Sequence, residues 1–107
     1  MVSVNVVVLA GTVSAEPVRR TLPSGDEVTE LRVSIPEEGK RVLPLPVSIW
    51  ADADGAAQAV DLRRGDRVLV HGRLVRRFYR SGAGARSLME VVASGVRCLA
   101  ETEAACA

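Results

Sequence analysis

Residues 66–79 alternate. Val68, Val70 and Leu74 share one parity, while Arg67, His71, Arg73, Arg77 and Tyr79 share the other. Side chains point to opposite faces at period two only in an extended strand. The stretch therefore reads as one long strand with an apolar face and a cationic face. Gly72 interrupts the apolar row and marks a bend or bulge. Such a strand needs neighbours that bury its apolar row, and the rest of the chain is suited to supply them.

Residues 2–13 form a first strand rich in β-branched side chains. Val4, Val6 and Val8 lie on one side of it and Val7, Leu9 and Val13 on the other. One of these faces enters the core, and the other calls for a cover such as a partner subunit. Residues 16–26 read as a turn region with Pro23-Ser24-Gly25 as the breaker. A second strand spans 27–35, with Val28, Leu31, Val33 and Ile35 apolar. Pro44 and Pro46 flank the start of a third strand, 45–51, and require that start to be an edge or irregular. Residues 52–62 read as a helix, capped by Asp52 or Asp54 and closed by Gly65. After the fourth strand, Ser81-Gly82-Ala83-Gly84-Ala85 reads as a flexible hairpin loop, and 87–99 as the fifth strand. The expected fold is all-β: a five-stranded OB-fold Greek-key barrel with one short helix between strands 3 and 4. Other small barrels and sandwiches fit the same pattern.

Composition narrows the function. At 107 residues the chain is one small domain, expected over 1–99, with a short C-terminal tail at 100–107. Hydrophobic residues make up 48% but only Trp50, Phe78 and Tyr79 are aromatic, so the core is built from Val, Leu and Ala. A lone His and no His/Cys cluster argue against a zinc site. No cofactor is expected. His71 has no nucleophile to serve, and no phosphate-binding Gly loop precedes a helix, so catalysis is not expected. No apolar run is long enough to span a membrane. Residues 6–10 lack the preceding positive charge of a signal peptide, so a cytoplasmic location is expected. Cys98 and Cys106 accordingly read as free thiols, with a 98–106 disulfide as the alternative.

The formal net charge of +1 conceals a split. Residues 63–86 carry eight Arg and one acid, Asp66, for a net of +7, against −6 in the remainder. Several cations along one strand suit a polyanion, because phosphate contact releases counterions. Phe78 and Tyr79 lie within the stripe, and aromatic rings stack unpaired bases without regard to sequence. The competing reading is a solvated face neutralised by Asp26, Glu27 and Glu30. Thirteen of the fourteen basic residues are Arg, a bias that a GC-rich genome also produces, so the preference for Arg carries no weight itself.

These pieces fall into a recognisable order. Asn5-x-Val7-x-Leu9-x-Gly11-x-Val13 is followed by Pro17-x-x-Arg20-x-x-x-Ser24-Gly25-x-x-Val28-x-x-Leu31. Gly65-Asp66-x-Val68-x-Val70-x-Gly72-Arg73-Leu74-x-x-Arg77-x-Tyr79 and Arg86-x-x-x-Glu90-Val91 come next. From about residue 4 to 98 the chain resembles the bacterial single-stranded DNA-binding protein family. The resemblance implies an OB fold, a homotetramer or dimer, and nucleoid-associated binding of single-stranded DNA in replication, recombination or repair. It implies an interface that includes the first strand. It also matches Trp50 and Tyr79 to two family stacking positions, and Arg20, Arg73, Arg77 and Arg86 to basic ones. The DNA-binding candidates are Arg20, Arg32, Trp50, Arg73, Arg76, Arg77, Tyr79, Arg80 and Arg86. Departures accompany it. Two family aromatics fall near Gly39 and Pro44 and are lost. Residues 101–107 lack the acidic, hydrophobic tip through which typical members recruit repair enzymes, so recruitment by that route is not expected. The alternative function is an OB-fold interaction module that has largely lost DNA binding and acts through protein partners.

Overall fold

A computed structural model describes residues 2–99 except 41, 43 and 83. The 100–107 tail lies outside the described residues. Six strands and one helical turn follow in order: β1 (Val7–Val13), β2 (Val18–Thr21), β3 (Glu27–Ser34), β4 (Leu45–Asp54), α1 (Ala56–Ala59), β5 (Arg67–Ser81) and β6 (Gly84–Cys98). The sheet order is β1-β5-β6-β4-β3-β2, and β3 also pairs with β1. The pairings therefore close into a ring, with β2 attached to β3 outside it. All pairs are antiparallel except β4 with β6. This is an OB-fold-like all-β sheet with one short helix.

Several expectations are corrected. There are six strands rather than five, because residues 18–21 leave the expected turn region to form a hairpin with β3. The helix keeps its place in the chain, but the extra strand puts it between β4 and β5. It is also only one turn long: β4 continues to Asp54, so Asp52 and Asp54 are strand residues, not caps. Gly55 takes the N-cap position at φ 79 with no side-chain cap, a left-handed conformation that suits glycine. Finally, Cys98 is disulfide-bonded, not a free thiol, while Cys106 lies outside the described residues. The spacing of two thiols does not settle their oxidation state.

The interior is aliphatic. Val13, Leu31, Val33, Val47, Ile49, Val68, Val70 and Val91 are all at most 2% exposed, and Ala59 and Leu62 close one end. Each comes from the inward parity of its strand, and no aromatic joins them. Pro46 sits opposite Arg32 but precedes the β4–β6 ladder, whose first pair is Val47 with Val91. This end of β4 is thus an edge, as proline requires. The β5–β6 register shifts between His71 and Gly72, and a Cβ at Gly72 would collide with the Val92 carbonyl. The glycine lets the two backbones close at the bend.

Above that bend the ladder continues without β1, and beyond Leu74 opposite Val91 it also leaves β4 and becomes a two-stranded ribbon. Regular pairing of β1 ends at Val7 with Gly72, so β1 is shorter than the expected 2–13. Asn5 then takes over: its side-chain Nδ2 donates to the Leu74 carbonyl at 2.8 Å, and Leu74 N–H donates to Asn5 Oδ1 at 2.9 Å. One side-chain amide thereby replaces a ladder pair at the ribbon's root. No helix among the described residues is long and apolar enough to cross a membrane.

Truncating Leu31 to Ala is expected to lower the unfolding free energy by about 2–5 kcal/mol. Asn5→Ala, which strands two exposed backbone groups, is expected to cost only about 0.5–1.5 kcal/mol. Urea denaturation measures both.

Candidate nucleic-acid interface

The inward parity of β3, β4 and β6 is consumed by the core, which leaves the other parity to form an outer face. The register assembles it in rows. Arg20 on β2 opposes Val28, which opposes Trp50 on β4. Glu30 opposes Ser48, Ser48 opposes Val92, and Val92 opposes Arg73 on β5. Arg32 lies opposite Pro46 at the next row. Along the ribbon, Arg77 faces Leu88 and Tyr79 faces Arg86. Residues directly opposed in an antiparallel pair share a face. Arg20, Arg32, Trp50, Arg73, Arg77, Tyr79 and Arg86 therefore line one surface.

Trp50 stands between two recesses on that surface. One, of about 370 Å³, lies between Trp50, Arg20, Arg77 and Glu90. The other, of about 410 Å³, lies between Trp50, Arg73 and Ser94. The indole is half-buried and Tyr79 is 48% exposed, so both rings offer area to a ligand. At the floor, Ser48 Oγ is buried without a hydrogen-bond partner among the described atoms.

The surface is not uniformly positive. Arg20 pairs with Glu30 at 2.8 Å, and Arg77 Nε donates to the Glu90 carboxylate. Glu27 pairs with Arg19 instead. The Glu90 side chain is only 12% exposed against 51% for Arg77, so the carboxylate depends on this guanidinium for solvation while the Arg remains accessible. Glu90 was not among the sequence candidates. Its place in the Arg86-x-x-x-Glu90-Val91 pattern was visible, but its partner emerges only from the hairpin register. Arg73 and Arg86 have no ion-pair partner among the described residues.

Two candidates do not join this surface. Arg76 opposes Met89 and Arg80 opposes Ala85, on the other parity. Phe78 lies between them. His71, adjacent in parity to Arg73, packs its ring over Gly95, a packing role. No group of three or more His, Cys, Asp or Glu able to hold a metal is found among the described residues.

Residues 4–99 match the family described as the single-strand binding protein family. The single-stranded DNA-binding protein of Thermus aquaticus is 35% identical over 89 residues, covering 78% of this chain and 33% of that protein. That of Deinococcus radiodurans is 32% identical over 107 residues, covering 92% and 35%. The chain thus spans about a third of the length of these relatives. A structure of Plasmodium falciparum SSB in complex with ssDNA superposes with a TM-score of 0.77 at 21% identity, covering 94% of this chain and 98% of that one. That likeness bears on the fold.

The Arg77–Glu90 pair sets a stability test. Arg77→Ala leaves a largely buried carboxylate without its donor and is expected to cost about 1–3 kcal/mol. Arg73→Ala, with no such partner, is expected to change stability by less than about 0.5 kcal/mol. Thermal or urea unfolding compares them.

Proposed function

This chain belongs to the single-strand binding protein family, and we propose that it binds single-stranded DNA on the outer face without sequence preference and without catalysis. The observation that carries this reading is the convergence of Trp50, Tyr79 and five Arg from β2, β3, β5 and β6 onto one surface. Trp50 and Tyr79 stack bases, at about 1–3 kcal/mol per base. Arg73 and Arg86 contact phosphates first. Arg20 is shared between phosphate and Glu30, because exposed ion pairs are worth only about 0–1 kcal/mol and are readily exchanged, whereas Arg77 stays on the mostly buried Glu90 and offers phosphate its accessible side. Likeness to relatives named as single-stranded DNA-binding proteins supports the same ligand.

The outward row of the N-terminal segment supports self-association. Val2, Val4, Val6 and Val8 are 90%, 81%, 71% and 66% exposed. Such an apolar stripe favours a self-complementary contact between copies of the chain, in a dimer or tetramer. The replication, recombination or repair setting follows from the family reading.

Titration with oligo-dT at low salt is expected to quench Trp50 fluorescence. The logarithm of the affinity is expected to fall with log salt by about 0.7 per phosphate contact, and Arg73→Ser to reduce that slope by about 0.7. Absence of quenching together with formation of complexes with other proteins would instead favour the interaction-module reading. Val6→Glu with Val8→Glu is expected to shift light-scattering mass to a smaller assembly while leaving the fold's circular dichroism intact.

A further inference from the structure

We propose that the reverse face of the β5–β6 ribbon is a second contact track for single-stranded nucleic acid, centred on Phe78 between Arg76 and Arg80. The proposal rests on the single-strand-binding reading of the outer face and extends it to a surface turned away from Trp50. The register supplies the placement: Leu74 opposes Val91, Arg76 opposes Met89, Phe78 opposes Ser87 and Arg80 opposes Ala85. At the root this parity enters the core through Val91, which is fully buried. Further out it meets solvent.

Phe78 is the most exposed aromatic at 73%, and Ser87 opposite is too small to cover it. A lone exposed apolar side chain needs no explanation. Here, however, Phe78 lies between two Arg residues on the same face, their backbone positions each about 6.8 Å along the strand. That repeat suits a base stacked on the ring with its flanking phosphates on the two Arg. The chemistry is that of Trp50 and its neighbours on the other side, with one difference. No carboxylate lies opposite on this face, and neither Arg76 nor Arg80 has an ion-pair partner among the described residues. Arg76 makes only a weak 3.5 Å contact from Nε to Met89 Sδ. The cations of the reverse face are thus less compensated than Arg20 and Arg77 of the outer face.

The two tracks are also contiguous. Tyr79 and Arg86 occupy the outer face at the same height as Phe78 and Arg80 on the reverse. The ribbon is two strands wide, about 5 Å between strand axes. A flexible strand leaving Tyr79 passes over the ribbon edge onto Phe78, so a long ligand engages both faces while a short one fills the outer face alone.

The test compares a short oligo-dT, within the ~4–16 nucleotides of one OB domain, with long poly-dT, for the wild type, Phe78→Ala and the double variant Arg76→Ser/Arg80→Ser. Trp50 quenching reads the outer face directly. Short-oligonucleotide affinity is expected to stay within about twofold of wild type. Poly-dT affinity is expected to fall at least about fivefold for Phe78→Ala, with a shorter occluded length per subunit. The double variant is expected to reduce the poly-dT salt slope by about 1.4. Unchanged affinity, slope and occluded length on poly-dT would overturn the proposal. A change of light-scattering mass with unchanged DNA binding would also overturn it, assigning the face to a protein contact. If the wild type binds neither ligand, the outer-face reading fails and this extension falls with it.

Discussion

The β5–β6 ladder is the constraint on which the rest depends. It runs from Val68 opposite Cys98 to Ser81 opposite Gly84, with one shift between His71 and Gly72. Below the shift, β5 is also paired to β1 and its Val68 and Val70 fill the core. Beyond Leu74 opposite Val91, the same two strands leave the ring and carry Arg76, Arg77, Arg80 and Arg86 outward. Period two then acts on that charge. It sends Arg73, Arg77 and Arg86 to the outer face and Arg76 and Arg80 to the reverse, with an aromatic ring on each side. Asn5 anchors the ribbon's root by pairing both backbone groups of Leu74.

The outer face balances two electrostatic demands. A polyanion site needs cations, but several guanidinium groups held together repel one another. Glu30 and Glu90 relieve that repulsion in different ways. Glu30 and Arg20 are both substantially exposed, so the pair is screened and exchangeable. Glu90 is mostly buried and holds Arg77 in place, fixing the direction in which its guanidinium faces solvent. The recess between them and Trp50 is therefore a shaped surface as well as a charged one.

Much of this was legible in the residues themselves. The alternation of 66–79, the Gly72 irregularity, the aliphatic core and the edge at Pro46 all follow from local chemistry. β2 was not, because Val18, Arg19, Arg20 and Thr21 are all exposed. They show no apolar alternation, and only hydrogen bonding to β3 makes them a strand. The expected helix is longer than the one turn observed because Ala-rich 51–59 is compatible with both states. Pairing of Asp54 with Gly95 of β6 carries β4 on through 51–54, and Gly55 limits the helix to one turn. A sum of charge over 63–86 hides parity. Only the hairpin register separates Arg76 and Arg80 from Arg77 and brings Glu90 to the latter. The outward valines of 2–8 are exposed in the single chain, so the cover expected for them is not visible in it.

The central claim is that a single strand lies across Trp50 and Tyr79 on the outer face. Photo-cross-linking of an iodouracil-substituted oligo-dT, followed by peptide mapping, tests it most directly. The account predicts adducts on the β4 peptide at Trp50 and on the ribbon peptide at Tyr79. Adducts confined to β1 or to α1, with none on either ring, would contradict it.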